Sequence, residues 1–197
     1  MSYVKIMVCV VAALALYSCR PATPVPKPKG YFKIELPEHK YQTFDSTAFP
    51  FTFEYPVYGA ITQDANLSKA ENSPYWINIE FKDMDAAIYL SYKPISAQEP
   101  LSKLIEESYK LSYAHDIRAD YIKKTPEFET KNGMRAVFYS VGGDAASSYQ
   151  FYITDQVKHF TRGALYFNVT PNADSLKPSA EFLRKDMEHL VETMNFK

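Results

Sequence analysis

Cysteine is scarce in this sequence, which contains only Cys9 and Cys19 among its 197 residues. Cys9 lies in an N-terminal apolar run that we expect to be cleaved off, so the mature chain would keep one cysteine. A single cysteine cannot form an internal disulfide, and it cannot supply the paired thiolates of a cysteine-based zinc site. The scarcity therefore excludes a fold held together by disulfides.

An excess of charge of either sign is also missing, because 22 basic residues face 23 acidic ones and the net charge is -1. Proteins that bind nucleic acid carry a basic patch or stripe. The sequence contains neither a long run of charge nor an internal repeat. The composition therefore predicts no nucleic-acid partner.

Clustered histidines are missing as well. The four histidines, His39, His115, His159 and His189, form no His-x-x-x-His pair, and no cysteine lies beside them to complete a zinc site. We therefore predict no bound metal and no cofactor.

The apolar run near the N terminus, Ile6 to Leu16, is too short to cross a bilayer, which takes roughly 20 residues. It fits the apolar region of a secretory signal, about 7–15 residues long. Leu16-Tyr17-Ser18-Cys19 resembles a bacterial lipobox, at which the leader is cleaved and acyl chains are attached to the cysteine. We predict that residues 1–18 are a lipoprotein signal peptide and that Cys19 is lipidated. The alternative is an ordinary signal peptide followed by an unmodified thiol.

Residues 19–30 contain four prolines, Pro21, Pro24, Pro26 and Pro28, which favour an extended polyproline II chain. We predict that this segment is a semi-rigid tether between the membrane and the rest of the protein. In lipoproteins of the Bacteroidota, acidic residues just after the lipidated cysteine resemble a surface-export signal, and here they are absent. We therefore expect a domain, residues 31–197, that faces the periplasm. The expected anchor is in the outer membrane, with the inner membrane as the open alternative.

Period-two alternation of apolar residues predicts strands through most of residues 31–197. It occurs at Phe49–Tyr55 and in three predicted hairpins, Trp76–Lys93, Glu127–Val141 and Tyr149–Val169. In the second hairpin, Asn132-Gly133 predicts a type I′ turn.

Two helices are predicted between and after these hairpins. The first, Ala97–His115, begins at the capping-box spacing of Ser96 and Glu99 and carries the pair Glu106–Lys110. The second has an apolar stripe from Ala180 to Met194, with Pro178 in its first turn. The order of elements predicts an α+β fold, an antiparallel β-sheet built from hairpins and packed by two helices, which resembles the PsbP/Mog1-like sandwich.

One loop carries residues that suggest chemistry, namely Gly142, Gly143, Asp144 and Ser147. A nucleophile elbow would need Gly-x-Ser-x-Gly, and a phosphate-binding loop would end in Gly-Lys-Ser/Thr. Neither motif is present. A loop that joins two strands is the simpler interpretation, since glycine and aspartate both favour turns.

A second group, Asp155, His159 and Arg162, could converge at the end of the third hairpin. An Asp–His pair can orient a base toward a serine, but nothing in the sequence brings Ser147 close to it. Polar surface groups at a turn are the simpler interpretation. We predict no catalytic residues and treat both groups as a candidate partner-binding or functional surface.

Four segments of the mature chain resemble the gliding motility lipoprotein GldD family of the Bacteroidota: PKPKGYFKIELPEHKY (26–41), IYLSYKP (88–94), VGGDAASSYQFYITDQVKHFTRGALYF (141–167) and TPNADSLKP (170–178). The resemblance implies an envelope lipoprotein needed for gliding and for protein export by the type IX secretion system, with other envelope proteins of these systems as partners. It implies no catalytic residues, and only the lipidation site carries over by position, to Cys19.

The expected function is therefore that of a non-enzymatic assembly factor or structural subunit at the membrane. Two alternatives stay open. One is an envelope hydrolase built around Asp144, Ser147 and His159. The other is a lipoprotein that binds a glycan or another ligand through some of its 16 tyrosines, although tyrosines at strand spacing more often pack across strands.

Overall fold

The computed structural model describes residues 3, 4, 7, 35–63 and 74–197. The chain divides into two units, Met1–Phe32 and Lys33–Lys197. The predicted lipidation site, Cys19, and the predicted tether, residues 19–30, lie outside the described residues, as does most of the predicted signal peptide.

The second unit contains thirteen main elements, which in chain order are β1 (Tyr41–Asp45), β2 (Phe51–Pro56), β3 (Ala60–Thr62), β4 (Ile77–Phe81), β5 (Ala86–Pro94), α1 (Leu101–Tyr113), β6 (Ala119–Lys124), β7 (Phe128–Glu129), β8 (Arg135–Gly143), β9 (Tyr149–Thr154), β10 (His159–Phe167), α2 (Ala173–Thr193) and β11 (Asn195–Phe196).

Eight strands form one sheet in the order β3-β4-β5-β10-β9-β8-β6, with β7 also paired to β8. A second sheet of three strands has the order β1-β2-β11. All neighbouring strands in both sheets are antiparallel. The hairpins predicted over Trp76–Lys93 and Tyr149–Val169 correspond to β4–β5 and β9–β10. The predicted α+β class, with an antiparallel sheet and two helices, is confirmed.

The Asn-Gly turn before β8 differs from the predicted type I′ geometry, which needs positive φ at both central residues. Gly133 has φ +77, but among the described non-glycine residues only Asp85 and Gln156 have positive φ, so Asn132 does not. The Gly133 N–H donates to the Thr130 carbonyl at 2.9 Å. A glycine in this position is typical of a type I turn followed by a bulge, and the type I′ prediction is wrong.

Helix α1 is shorter than the predicted Ala97–His115 and begins at Leu101. Ser96 Oγ accepts from the Glu99 N–H at 3.1 Å, and the Ser96 N–H donates to the Glu99 carbonyl at 3.0 Å. These bonds close a separate turn ahead of the helix, which is why the capping-box spacing gave too early a start. The predicted Glu106–Lys110 ion pair is present at 2.6 Å.

Helix α2 begins earlier than predicted, at Ala173, because the Asn172 side chain accepts from the Ser175 N–H at 3.2 Å and so caps the helix. Pro178 consequently lies in the second turn. The predicted apolar stripe is confirmed, since each of its members is buried: Ala180, Leu183, Met187, Leu190, Val191 and Met194.

Side chains of the eight-stranded sheet alternate between two faces that are covered differently. The first, which we call the core face, meets α2 and the small sheet, and its cluster of buried residues includes Phe51, Ile79, Leu90, Phe151, Leu165 and Leu183. The second, which we call the helix face, meets α1 through a smaller cluster: Leu104, Val137, Tyr139, Tyr152 and Phe160. Over β4 and β5, a cleft separates α1 from the helix face.

Candidate functional site

Gly142 and Gly143 end strand β8 where β6 approaches it closely. A Cβ on Gly142 would lie 2.2 Å from the Tyr121 ring, and a Cβ on Gly143, which has φ +90, would lie 2.7 Å from the Asp120 nitrogen. The pairing of β6 with β8 shifts register at this point, between Ala119 and Tyr121. Packing and backbone geometry therefore account for both glycines.

Asp144 and Ser147 lie in the loop between β8 and β9. Asp144 Oδ1 accepts from the N–H of Ala173 at 2.8 Å, so this carboxylate satisfies a free donor at the start of α2. Ser147 is fully buried, and its hydroxyl donates to the Tyr149 carbonyl at 3.5 Å. The serine therefore bonds to the backbone rather than to a base.

Asp155 organises the turn between β9 and β10. Its Oδ1 accepts from the N–H groups of Val157, Lys158 and His159 at 2.9, 2.9 and 2.8 Å. Burial opposes the charged form, but the three donors stabilise the carboxylate, and the pKa of Asp155 is lowered below its ordinary value. The residue acts as the acceptor that closes this turn.

His159 and Arg162 project from opposite faces of β10. On the core face, His159 Nδ1 lies 2.7 Å from the Tyr92 hydroxyl, and its ring stacks on Phe196. On the helix face, Arg162 donates to Gln150 Oε1. The sheet separates the two side chains, so the predicted convergence at this hairpin does not occur.

The residues singled out from the sequence thus occupy three separate places. Gly142, Gly143, Asp144 and Ser147 lie in the β8–β9 loop region, Asp155 and His159 lie at the opposite end of β9, and Arg162 lies beneath α1. The Ser147–His159 arrangement required for the hydrolase hypothesis is not assembled.

The cleft on the helix face has a volume of about 370 Å³ and is bounded by α1 and by strands β4, β5 and β10. Its lining includes the aromatic residues Trp76, Tyr89 and Tyr166 and the aliphatic residues Leu104 and Leu111. The Tyr89 and Tyr166 rings meet edge to face, with centroids 5.6 Å apart. The Trp76 indole N–H donates to the Tyr92 carbonyl at 3.3 Å, which fixes the indole at the cleft.

Polar side chains lie under this apolar lining. Ser112 Oγ and Arg162 both donate to Gln150 Oε1, the former at 2.9 Å. Because a guanidinium can only donate, the amide oxygen of Gln150 must be the atom that faces Arg162. Arg162 Nε, Gln150 Nε2, Ser108 Oγ and Tyr139 Oη are buried without a hydrogen-bond partner among the described residues. Arg162 and Ser108 also line the cleft.

The guanidinium of Arg162 is the unpaired charge of the cleft. No ion pair among the described residues includes Arg162. Burial lowers the pKa of the guanidinium, and interactions with Tyr166 and Tyr139 raise it by a smaller amount. The other two charged residues of the lining, Lys93 and Glu107, neutralise each other at 2.9 Å. The cleft of the described structure therefore carries one uncompensated positive charge.

Burial raises the pKa of the neighbouring Tyr139 to about 12, so its hydroxyl stays protonated. Burial lowers the pKa of His115, and the positive charge of Arg162 lowers it further. Neither group offsets the charge of Arg162 near neutral pH.

A second polar cluster surrounds Asp186 on α2, and we call it the Asp186 cluster. Asp186 is fully buried. Its Oδ1 lies 2.7 Å from His39 Nδ1 and accepts a hydrogen bond from the Tyr41 hydroxyl at 3.0 Å. Its Oδ2 accepts a hydrogen bond from the Tyr58 hydroxyl at 2.5 Å. Burial and the adjacent carboxylate raise the pKa of both tyrosines, which remain donors. The cluster joins the chain just before β1 to the middle of α2.

Sequence reasoning missed this cluster, although one signal was available. Asp186 falls three residues after Leu183 and four before Leu190, within the apolar stripe of α2. A charged residue at a core position of a helix predicts a buried partner, which here proves to be a histidine with two tyrosines.

Within residues 35–63 and 74–197, no group of three or more histidine, cysteine, aspartate or glutamate side chains is placed to hold a metal ion. None of the helices described has both the length and the apolar character to span a bilayer.

The fold and the cleft define a class: an α+β protein whose antiparallel sheet carries a packed core on one face and an aromatic cleft under a helix on the other. The chain belongs to the family described as gliding motility lipoprotein GldD, whose sequence model matches residues 21–196. The predicted resemblance is confirmed. Membership implies a lipoprotein attached to a membrane of the cell envelope and supports a role in gliding motility.

Two further comparisons add little. No protein of curated function matches the sequence. The solution structure of cyanobacterial PsbP (CyanoP) from Synechocystis matches with a TM-score of 0.49 and 11% identity, over 85% of this chain and 98% of that chain.

Proposed function

We propose that the protein is an accessory lipoprotein of the cell envelope, needed both for gliding motility and for protein secretion by the type IX system, in a non-enzymatic assembly or structural role. The observation that carries this proposal is the family match over residues 21–196. Other envelope proteins of the gliding and type IX systems are the proposed partners.

The test is a clean deletion of the gene, followed by measurement of surface gliding and of type IX cargo in the medium. We expect both to be lost and both to be restored by the wild-type gene. Normal cargo export in the deletion strain would overturn the secretion role, and normal movement would overturn the gliding role.

The proposal includes an anchor at Cys19, a signal peptide over residues 1–18, a tether over residues 19–30 and a periplasmic domain over residues 31–197, held at the outer membrane. The lipobox-like Leu16–Cys19 and the proline-rich segment after it support this arrangement.

Radiolabelled palmitate should label the wild-type protein and the Cys9→Ala variant equally, because Cys9 is removed with the leader. Labelling of Cys19→Ala would overturn the lipidation site.

The non-enzymatic role is supported by the structural partners of the residues suggested for hydrolysis. Asp144 caps α2, Ser147 bonds to a carbonyl, and His159 pairs with Tyr92. A gene carrying Ser147→Ala together with His159→Ala should restore secretion in the deletion strain as long as the protein accumulates normally. Loss of secretion by a stably folded double variant would instead favour the envelope hydrolase.

A second candidate function is ligand binding by the anchored domain, and a specific observation favours it. The cleft under α1 is lined by Trp76, Tyr89 and Tyr166 and is large enough for a small molecule. This function is compatible with an assembly role.

A further inference from the structure

We propose that the cleft under α1 binds a small carboxylic acid, with the carboxylate on Arg162 and an apolar body against Trp76, Tyr89, Tyr166 and Leu111. This inference concerns the cleft alone and does not depend on whether the protein acts in gliding or secretion.

The first argument is charge. A buried ionised group is stabilised by a partner of opposite charge, and an unpaired one destabilises the fold. Arg162 has no such partner among the described residues, and its Nε is buried without a hydrogen bond. Since Arg162 lines the cleft, a ligand carboxylate would supply the missing negative charge, and the guanidinium fork matches the two oxygens of a carboxylate.

The second argument is the balance of donors and charges around Arg162. Ser108 Oγ, which also lines the cleft, is a second buried polar atom without a partner. Lys93 is already neutralised by Glu107. Among the described lining residues, one cation without an ion pair suits a singly charged carboxylate, whereas a phosphate dianion would leave charge uncompensated and would meet the Glu107 carboxylate, which also lines the cleft.

The third argument is the apolar lining. Ligand pockets are lined mainly by apolar and aromatic side chains, with a few polar groups that fix orientation, and span roughly 300–1,000 Å³. At about 370 Å³, this cleft lies at the small end of that range. Leu111 is 53% exposed and Tyr89 40% exposed, which leaves apolar surface for a ligand to cover. The lining thus favours an acid with a short alkyl or aromatic body.

The test uses Trp76 as the probe, because it is the only tryptophan of the chain and it lines the cleft. Octanoate is titrated into the purified full-length protein while Trp76 emission is recorded, and octan-1-ol serves as the uncharged comparison. We expect a saturable change with octanoate and weaker binding of the alcohol. The absence of a saturable change with octanoate, or equal affinity for the alcohol, would overturn the proposal.

Arg162→Met is the critical variant and should weaken octanoate binding by about tenfold or more, the usual effect of losing a hydrogen bond to a charged group. Arg184→Met is the matched control, since Arg184 lies exposed on α2 and pairs with Glu188. Its affinity should equal that of the wild type. Equal affinities for the two variants would overturn the assignment of the carboxylate to Arg162.

A second pair of variants keeps the test decisive if Arg162→Met fails to fold. Leu111 is largely exposed, so Leu111→Asp and Leu111→Asn should both fold. The aspartate should weaken octanoate binding severalfold more than the asparagine, because its charge repels the carboxylate of octanoate. Equal affinity of the two variants for octanoate would contradict binding in the cleft.

A further arm separates the source of the acid. A short peptide that ends in phenylalanine with a free carboxylate is titrated alongside its amidated form. If the peptide with the free carboxylate binds more tightly than octanoate, the proposal of a small free acid is overturned, and the ligand is the C-terminus of a partner protein.

Discussion

The two faces of the eight-stranded sheet are built from neighbouring residues of the same strands, yet they are packed in opposite ways. The core face is closed by α2 and the small sheet, with Phe51, Ile79 and Leu183 all essentially without exposure. The helix face keeps a cleft, an arginine without an ion pair and several buried polar atoms without hydrogen-bond partners, as far as the described residues go. The difference indicates that the core face supplies the stability of the fold, while the helix face retains features that stability alone would not select.

The largest expected effect concerns Asp186, the fully buried carboxylate on α2, which packs on the core face. Asp186→Ala removes the shared acceptor of His39, Tyr41 and Tyr58 and should lower the free energy of unfolding by about 4 kcal/mol, as for other broken buried pairs. Urea denaturation measures the loss. Glu188→Ala on the same helix, which removes an exposed pair, should cost about 0.5 kcal/mol. A similar loss for both variants would show that the Asp186 cluster does not stabilise the fold.

The second prediction compares leucine truncations on the two faces. Leu183→Ala leaves a closed cavity in the main core and should cost about 4 kcal/mol, whereas Leu104→Ala enlarges a cleft that already exists and should cost about 2 kcal/mol. Both leucines are buried, at 0% and 1% exposure, so the transfer of the side chain contributes equally. Equal losses in urea denaturation would contradict the view that the helix face is open.

The third prediction concerns Asp155, whose turn joins β9 to β10 and so serves both faces. Because its pKa is lowered in the folded state, its carboxylate stabilises the fold above the unfolded-state pKa of about 3.9, and the contribution is lost as the pH falls through the folded-state pKa. Asp155→Ala should therefore cost about 1 kcal/mol near neutral pH.

The difference between wild type and Asp155→Ala should shrink in acid, and urea denaturation over a pH series measures it. Asp155→Asn keeps an acceptor oxygen without a charge, so its smaller loss should vary little over the same series. A loss for the alanine variant that stays constant into strong acid would refute the assignment.

The smallest effect on stability is expected at Arg162. Arg162 is half-buried and has no ion pair among the described residues, so an apolar side chain of similar length removes part of a desolvation penalty. Arg162→Met should leave the free energy of unfolding unchanged or raise it by about 1 kcal/mol. Thermal or urea denaturation without ligand measures this. A loss comparable to that of Leu104→Ala would mean that Arg162 is a structural residue, and the contrast between the faces would weaken.

The long, regular elements were predictable from the sequence because their patterns repeat over many residues. The stripe of α2 and the alternation in β4, β5, β9 and β10 each involve several side chains on one face. The strands β1, β3, β6 and β11 were not identified; β3 and β11 have only three and two residues, too few to show a period of two. Pairing with a distant segment, as between β11 and β2, depends on the whole fold rather than on local pattern.

The candidate site was less predictable, for two different reasons. Period-two alternation along β10 already separates His159 from Arg162, so their predicted convergence conflicted with the predicted strand. The cleft, by contrast, forms where α1 packs over β4, β5 and β10. The distance between a helix and a sheet cannot be predicted from a local sequence pattern. Arg162 was singled out from the sequence, but its hydrogen-bond partner Gln150, which also accepts from Ser112, emerged only in three dimensions.

The position of the Asp186 cluster would have a mechanical consequence if the protein is anchored at Cys19 as proposed. Within the described residues, a pull from that side would reach His39 and Tyr41 at the entry to β1, which pairs on one side only among the described strands. Because both residues bond to Asp186, the force would pass directly into the longest helix of the domain. The hydrogen bonds of an edge strand would then be spared from breaking one after another, and the domain would resist being peeled open from its point of attachment.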